Sequence, residues 1–291
     1  MGSRYMRGVA LVAVLWLLVL LSTIAGSYAF AVRTEYNVAR NNVQAGRARM
    51  LAEAGVNRAI AELLLPAAPG RWRVDAAPYH FTLAAGSITV RLQAAAGLVN
   101  LNQAPPALLA NLLRVAGVPA ERRDSLVDAI LDWRDGDDLR RLNGAETRDY
   151  RLADSGYSPA NRPFDYVGEL ALVLGMHRDI YRRLRPLVTV YSSSAEVDRT
   201  LAPRAVLRAV LDGDDDAVET VLNARAQRAA DGRPAASTGA GSAYHVDVEA
   251  RLDDGTTAAL TAVVTIKPQA AVPYTVLDWQ QGETARRGDD A

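Results

Sequence analysis

The sequence contains no cysteine, which excludes a disulfide framework, a thiolate metal site and a cysteine nucleophile. Histidine is also scarce: the three copies, His80, His177 and His245, lie far apart in the sequence. Such isolated histidines are more often surface or packed residues than catalytic ones. No Ser/His/Asp constellation, phosphate-binding glycine loop or paired-histidine motif stands out. The sequence therefore predicts a protein that is not an enzyme.

An excess of charge of either sign is also absent. The 291 residues include 33 basic and 33 acidic side chains, so the formal net charge is zero. Domains that coat nucleic acid are usually basic, so this balance argues against such a body and leaves only a local basic patch open. The length is sufficient for a large core and predicts two compact units.

The amino-terminal region has no charged residue between Gly8 and Val32. About 20 apolar residues cross the hydrocarbon core of a bilayer as a helix, so a transmembrane helix is predicted over residues 9–32. Arginines flank this stretch on both sides, at Arg4, Arg7, Arg33 and Arg40. The short amino-terminal flank favours a cytoplasmic amino terminus, although the arginines that follow the stretch weaken that signal.

Three interpretations of this amino terminus compete. One is a cleaved secretory signal with a small-residue cleavage site around residues 29–31, although the apolar run is long for such a signal. The second is a plain signal anchor. The third is a prepilin leader over residues 1–8, a short polar stretch that ends in Gly8 directly before the apolar run. Cleavage after Gly8 leaves Val9 as the new amino terminus.

The stretch from Arg33 to Leu65 favours the third interpretation. No proline interrupts it, and the helix is predicted to stop near Pro66. Apolar or small residues recur at helical spacing, at Val43, Met50, Leu51, Ala54, Ile60, Leu63 and Leu64. The membrane helix is therefore predicted to continue as an amphipathic helix over residues 33–65. The alternative is a separate core helix that follows a linker.

The rest of the chain contains strand-like segments before and after a helical block. Strands are predicted over Tyr79–Leu83, Ser87–Gln93, Val188–Tyr191, Tyr244–Leu252 and Thr257–Lys267. Helices are predicted over Leu108–Val115, Ala120–Arg134, Tyr166–Gly175, Arg204–Leu211 and Asp215–Ala230. An Asp-Gly turn joins the last two strands, and residues 231–242 are predicted to form a loop. This order predicts an α+β fold with an inserted helical domain.

The predicted organisation has seven segments. They are a leader at 1–8, a transmembrane helix at 9–32, its amphipathic continuation at 33–65, the first part of a sheet at 66–101, an inserted helical domain at 102–187, a second helical segment with the rest of the sheet at 188–281, and a flexible tail at 282–291. The polar composition of the tail predicts fraying.

A weak internal repeat lies in the helical block. Val99-Asn100, Ala104-Pro105 and Leu109 are matched by Val197-Asp198, Ala202-Pro203 and Leu207. In each copy a proline opens a predicted helix, where its missing N–H costs little. The alternative is two similar helix starts with no further relation.

Several short motifs follow one another in an order that is typical of one family. They are Arg7–Leu11, Gly97–Asn102, Ile130–Asp138, Gly144–Glu146, Asn161–Phe164, Val167–Leu170 and Tyr274–Trp279. In these motifs the sequence resembles minor pseudopilin K of type II secretion systems, the general secretion pathway protein K family, over nearly the whole chain. The resemblance implies a pilin-like long amino-terminal helix packed on a small antiparallel sheet, with an inserted all-helical domain.

The resemblance also implies a function. Members of this family are expected at the tip of the pseudopilus, where they help to initiate its assembly and protein export across the outer membrane. The implied partners are the I-type and J-type minor pseudopilins, the pseudopilus, the prepilin peptidase and the inner membrane. Cleavage between Gly8 and Val9, methylation of the new terminus and a periplasmic body follow from the same resemblance. Most pilins carry glutamate at the fifth mature position, and Ala13 in its place agrees with a subunit that caps the fibre.

An acidic stretch is the candidate metal site. Carboxylates crowd it and its surroundings, at Asp132, Asp135, Asp137, Asp138, Glu146 and Asp149. Clustered carboxylates repel one another unless they are protonated, solvated or bridged by a cation. Oxygen ligands without Cys or His suit calcium, although the spacing fails the EF-hand rule at Leu139. A solvated loop is the alternative. The family has calcium-binding loops in its helical domain, which implies calcium with Asp135, Asp137, Asp138 and Glu146 as candidate ligands.

The alternative function is nucleic-acid binding by a membrane-anchored protein of the DNA-uptake kind. Val99–Ala104 and the two helices after it look like the opening of a helix-hairpin-helix module. Such a module needs a Gly-x-Gly-type hairpin so that backbone N–H groups can approach phosphate. Val115–Pro119 has one glycine and a proline without an N–H, so no nucleic-acid partner is expected.

Overall fold

The amino-terminal part of the protein is a single helix. A computed structural model describes residues 5–66, 68, 70–83, 86–231 and 242–282, with side chains from residue 11 onward. Helix α1 runs without interruption from Tyr5 to Leu64, which confirms the predicted long helix. It ends just before Pro66, which lacks an N–H. No separate core helix after a linker is present in this described stretch.

The second half of α1 packs on a sheet because it carries an apolar stripe. Its buried residues recur every three or four positions, at Ala48, Leu51, Ala52, Val56, Ala59 and Ile60. This is the spacing of one face of a helix. Gly55 lies in the same stripe, and a Cβ there would be 2.6 Å from Cγ1 of Val248. The absence of a side chain at Gly55 therefore lets α1 approach the sheet closely.

The sheet has five antiparallel strands in the order β1-β2-β5-β6-β7. These strands are β1 (Asp75–Thr82), β2 (Gly86–Ala94), β5 (Ala243–Leu252), β6 (Thr257–Ile266) and β7 (Tyr274–Gly282). On β2 the side chains of Ile88, Val90 and Leu92 are buried, which is the period of two that turns alternate residues toward α1. Gly255 has φ +87° in the turn between β5 and β6, as the predicted Asp-Gly turn requires.

A helical body is inserted between β2 and β5. It contains α2 (Pro106–Val115), α3 (Ala120–Arg134), α4 (Thr147–Leu152), α5 (Arg178–Leu184), α6 (Arg204–Val210) and α7 (Asp215–Ala230). Two short strands, β3 (Val99–Asn100) and β4 (Val188–Thr189), pair in parallel where the body joins the sheet. The body has its own hydrophobic core, distinct from the core between α1 and the sheet. With the long helix and the antiparallel sheet, it confirms the predicted α+β fold class.

The helical core continues past residue 187 because the second helical segment joins it. Leu109 and Leu113 of α2 share this core with Val206 and Leu207 of α6 and with Val218 of α7. Residues 102–187 and the helices of 188–230 therefore form one packed unit.

The internal repeat corresponds to two similar local structures. Asn102 N donates to Oδ1 of Asn100 at 2.8 Å, and Thr200 N donates to Oδ1 of Asp198 at the same distance. Ala104 and Ala202 are fully buried just before the prolines that open α2 and α6. The two copies then meet, because α2 packs against α6. The repeat is thus more than two unrelated helix starts.

Several predicted elements differ from the structure. The helix predicted over Tyr166–Gly175 is wrong apart from a short 3₁₀ helix, Val167–Leu172, which ends where Val173 becomes extended. The strand predicted over Val188–Tyr191 is limited to its first two residues. Strand β7 and helices α4 and α5 were not predicted. Most of the loop predicted over residues 231–242 and most of the tail lie outside the described residues.

Candidate functional site

The acidic loop connects α3 to α4 and spans residues 135–146. Its anchor is Asp132, which lies on the last turn of α3 and is fully buried. A buried carboxylate needs hydrogen-bonded or charged partners. Arg141 supplies both, since its Nη1 lies 2.7 Å from Oδ1 of Asp132 and its backbone N donates to Oδ2 at 3.2 Å. Burial still raises the pKa of Asp132, and the hydrogen bonds from Arg141 oppose that rise.

Arg141 also contacts Asp135, so one guanidinium bridges two carboxylates of the loop. The hydrogen bonds to Asp135 and Asp132 raise the pKa of Arg141 above its usual value, which keeps the side chain charged. The loop thus contains its own cation at the point where Asp132 and Asp135 converge. The other oxygen of Asp135, Oδ1, is buried without a hydrogen-bond partner among the described residues.

Glu146 is the most perturbed carboxyl group of the loop. It is only 3% exposed, and within the described residues neither carboxylate oxygen has a hydrogen-bond partner. Burial, followed by the negative charges of Asp132, Asp138 and Asp135, raises the pKa of Glu146 to about 7. A carboxyl group in this position is stabilised either by a proton or by an added cation.

The other two predicted ligands are more exposed. Asp137 Oδ1 accepts from the backbone N of Leu139 at 2.8 Å, so this carboxylate closes a local turn. Asp138 Oδ1 accepts from the backbone N of Thr147 at 3.4 Å, and Asp138 lines a cavity of about 590 Å³ beside α4. Glu146 lines the same cavity. The structure therefore brings Asp138 and Glu146 together and leaves Asp135 with Arg141 and Asp137 in its turn.

The carboxylate oxygens of the loop are of the type that calcium binds, but they do not surround one common point. Hard oxygen donors are present, and three of them, one on Asp135 and two on Glu146, are buried and unpaired. Within the part of the chain that the structure describes, no group of three or more acidic residues or histidines is close enough to hold a metal ion. Sequence reasoning did not identify Arg141 as the loop's internal cation. The Arg140-Arg141 pair directly after the acidic run was the available signal.

The helix connections after the two copies of the repeat lack the Gly-x-Gly-type hairpin through which helix-hairpin-helix modules approach phosphate. Gly117 between α2 and α3 has φ +76°, but Pro119 two residues later has no N–H to donate. Between α6 and α7 the chain is acidic from Asp212 to Asp216, and Asp214 caps α7 by accepting from Ala217 N at 3.0 Å. This acidic turn repels a phosphate backbone.

The amino-terminal half of α1 is long and apolar enough to cross a membrane, judged by length and composition. None of the side chains described in its apolar segment, from residue 11 onward, is buried in the protein, and Trp16 and Phe30 are 70% and 75% exposed. Ala13 lies on this exposed stretch. Gly8 and Val9 lie within the backbone of α1, and residues 1–4 of the predicted leader lie outside the described residues.

Beyond the membrane segment, α1 carries a second apolar stripe that the sheet does not cover. Tyr36, Val43 and Met50 are 66%, 55% and 72% exposed. They are spaced by seven residues, which places them on one face of the helix, as in helices that associate side by side. Tyr36 and Val43 precede the buried stripe, which begins at Ala48, and Met50 lies on the exposed side of the helix beside it.

Comparison with known proteins finds similarity to one family. Residues 90–193, from β2 to just beyond β4 with the acidic loop between them, match the family model for type II secretion system (T2SS) protein K. Type II secretion system protein K of Pseudomonas aeruginosa is 32% identical over 150 residues, which are 48% of this chain and 45% of that protein. The Klebsiella pneumoniae protein of the same name is 37% identical over 110 residues, 37% of this chain and 34% of that protein. The matched regions span less than half the length of these relatives.

A solved structure has the same fold. The crystal structure of the GspK-GspI-GspJ complex from the enterotoxigenic Escherichia coli type 2 secretion system contains a chain with a TM-score of 0.52 and 19% identity. The match covers 87% of this chain and 99% of that chain. At this identity the likeness establishes the fold alone. The similarities give no support to the nucleic-acid alternative.

Proposed function

Because residues 90–193 match the family model for type II secretion system protein K, we propose that the chain is a minor pseudopilin of that family. It sits at the tip of the pseudopilus, helps to initiate its assembly and so supports protein export across the outer membrane. The observation that carries this proposal is helix α1. Its amino-terminal half is apolar and exposed, and its second half packs on the five-stranded sheet. The chain has no catalytic role in this function.

The partners we propose are the I-type and J-type minor pseudopilins. Support comes from the exposed stripe of Tyr36, Val43 and Met50, which offers apolar surface to neighbouring helices. A related chain was also crystallised in a complex named GspK-GspI-GspJ. Val43→Glu with Met50→Glu in the full-length protein should prevent co-purification with both partners. Asn42→Glu on another side of the exposed helix is the matched control and should leave co-purification intact.

The tip position follows from two features of the chain. A helical fibre repeats one contact, so each internal subunit needs compatible upper and lower surfaces. The inserted helical body adds bulk to the head, and only the terminal subunit has no neighbour above. Ala13 lacks a carboxylate that could pair with the amino terminus of an adjacent subunit within the bilayer. Labelling of isolated fibres should find the wild-type protein at one end, and labelling along the whole length would contradict the proposal.

The proposed location is the inner membrane, with a single pass, a cytoplasmic amino terminus and a periplasmic body. The prepilin peptidase cuts after Gly8 and leaves Val9 as the terminus, which is then methylated. Mass spectrometry of the membrane-extracted protein tests this, because a chain that starts near Val32 identifies a secretory cut instead. Gly8→Val should block processing and leave residues 1–8 attached.

We also propose that the acidic loop binds calcium through Asp138 and Glu146, with Asp135 and Asp137 as further candidate ligands. A bound calcium ion places a positive charge beside the buried carboxylate of Glu146. Binding to the folded state raises the melting temperature through mass action. Millimolar calcium should therefore raise the melting temperature relative to EDTA, and Glu146→Gln should remove this difference. An equal melting temperature with and without calcium rejects the site.

A further inference from the structure

A second polar site lies between the edge strand β1 and helices α6 and α7. It is a cavity of about 280 Å³ whose walls include three arginines, Arg73, Arg204 and Arg225. The lining also contains the carboxylate of Asp75. Such a concentration of guanidinium groups around one cavity is typical of sites that recognise an anion.

Two of the three arginines are already paired. Arg73 contacts Asp75, and Nη2 of Arg204 lies 3.2 Å from Oε2 of Glu219 on α7. Each of these pairs is close to neutral in sum. Arg225 is the third arginine of the cavity, and the carboxylates of Asp75 and Asp198 lie near enough to act on its charge.

Arg225 is half-buried and poorly satisfied. Its Nη2 donates to the backbone carbonyl of Arg199, and its Nε is buried without a hydrogen-bond partner in the described part of the chain. Burial lowers the pKa of Arg225, the nearby carboxylates of Asp75 and Asp198 oppose that shift, and the charge of Arg73 acts with it. A buried guanidinium with an unused N–H costs free energy unless an acceptor reaches it.

From this cavity and the unpaired N–H of Arg225, we propose that the pocket binds a carboxylate on an acidic side chain of a neighbouring protein segment. The guanidinium fork is built for a planar carboxylate. Three guanidinium groups and one carboxylate line the cavity, and the Asp75 carboxylate in the wall favours a singly charged anion over a doubly charged phosphate. The assignment lies outside the acidic loop and does not depend on calcium.

The form of the β1 edge explains why one side chain, rather than a whole strand, is the ligand. Pro78 has no N–H to donate, and the pairing of β1 with β2 shifts register between Asp75 and Pro78. Ala76 has φ +65° at that irregularity. Proline and bulges on an edge strand prevent another strand from adding to it. A neighbouring segment can therefore reach the pocket without extending the sheet.

The chemistry can be tested by labelling arginines of the detergent-solubilised full-length chain with phenylglyoxal and mapping each site by mass spectrometry. The probes are N-acetyl-glutamate amide, its neutral glutamine counterpart and inorganic phosphate, at matched ionic strength. At about 100 mM the glutamate probe should slow the labelling of Arg225 roughly fivefold, by mass action. Arg228, on the same helix, should be unaffected. Equal protection by the glutamine probe, or stronger protection by phosphate, overturns the proposal.

Two variants keep the test independent of general effects on reactivity. Ala226 lines the pocket and Ala224 does not, although both are exposed on α7. Ala226→Leu should fill the pocket and abolish protection, whereas Ala224→Leu should retain it. Protection that survives Ala226→Leu contradicts the site. If Ala226→Leu fails to fold, the comparison of the probes on the wild-type chain still decides the outcome.

Washed membranes that contain the neighbouring proteins distinguish a carboxylate on a protein segment from a carboxylate on a free small acid. Washing removes free small acids and leaves protein segments in place. Arg225 should be labelled more slowly in these membranes than in the purified chain, while Arg228 is labelled equally in both. If Arg225 is equally reactive in the two preparations, no protein segment occupies the pocket and the proposal fails.

Discussion

At the scale of single residues, the acidic loop is held together by one arginine. Asp132 is fully buried, and Arg141 bonds to it through both its side chain and its backbone N. Removing one partner of such a pair leaves an uncompensated buried charge, which costs more than the pair itself contributes. The loop is therefore folded around Arg141 before any added ion, and calcium, as we propose, acts on the carboxylates that Arg141 does not reach.

Glu146 should make stability depend on pH in the absence of calcium. Its pKa of about 7 in the folded state lies above the ordinary 4.5, so the folded state binds more protons between these two values. Stability should therefore be highest below about pH 4.5 for this group and fall as the pH rises to about 7, by on the order of 3 kcal/mol. Denaturation in EDTA at several pH values measures this, with Glu146→Gln expected to flatten the profile and Glu121→Gln as the exposed control.

Gly144 should be intolerant of any side chain. A Cβ at Gly144 would lie 2.0 Å from Oδ2 of Asp132, which is buried and cannot move away freely. Gly144→Ala should destabilise the fold by roughly 1–3 kcal/mol, as overpacking usually does. Gly136 lies in the same loop with no atom within 4 Å of its Cβ position, so Gly136→Ala should be close to neutral. Equal midpoints of chemical denaturation for the two variants would show that Asp132 is not held in place.

At the scale of elements, two of the glycines in α1 have opposite roles. Gly55 faces the sheet, where an added Cβ would meet Val248 at 2.6 Å and Ile88 at 3.0 Å. Gly46 lies just before the buried stripe begins and has no atom within 4 Å of its Cβ position. The lack of a side chain at Gly55 permits close packing of α1 on the sheet, whereas Gly46 only lowers the stability of the helix.

These two glycines predict stability changes of opposite sign. Gly55→Ala should lower the melting temperature, because overpacking by roughly 1–3 kcal/mol exceeds the gain in helix propensity of about 1 kcal/mol. Gly46→Ala should raise it, by about 0.5–1 kcal/mol of stability. Thermal denaturation of both full-length variants under the same conditions provides the comparison. A stabilising effect of Gly55→Ala would mean that α1 does not pack closely on the sheet.

Long periodic elements could be predicted from the sequence and short ones could not. The bounds of α3 and α7 agree with the predicted ranges, since each has four turns of pattern or a clear cap. Helices α4 and α5 have six and seven residues, too few for a periodicity to emerge. Strand β7 escaped prediction because its Val276, Leu277 and Trp279 are all about 40% exposed, so no alternation marks a buried face.

The sequence predicts where the site lies from its acidic composition, but not how its side chains are arranged. A run of aspartates identifies the loop, but the pairing of Asp132 and Asp135 with Arg141 depends on how the loop turns back on α3. The burial of Glu146 depends in the same way on α4, which the sequence did not indicate. Tertiary contacts of this kind are not encoded in local spacing.

At the scale of the whole molecule, the core of the helical body is separate from the core between α1 and the sheet. Buried polar contacts connect the elements that hold these two cores. One such contact is the hydrogen bond from Nε2 of Gln93, at the end of β2, to the carbonyl of Leu201 at 3.0 Å. Separate cores allow parts of a protein to open with different free energies.

The helical body should therefore respond on its own to a cavity in its core. Leu207 is fully buried there, and Leu207→Ala should cost about 2–5 kcal/mol. Hydrogen exchange should accelerate in α2, α3 and α6 and change less in β5 and β6. Leu142 is 89% exposed, so Leu142→Ala should change exchange nowhere. Uniform acceleration across the body and the sheet would show that the two cores unfold as one.

The unbroken course of α1 has a mechanical consequence. Its 60 residues form a rod about 90 Å long, at a rise of about 1.5 Å per residue. A pull or a twist applied to the apolar end of α1 is transmitted along the hydrogen-bonded backbone of the helix to the sheet. Bending strain should concentrate at Gly46, where the rod leaves the sheet and lacks a side chain. The sheet therefore moves together with the apolar end of α1, because one unbroken helix joins them.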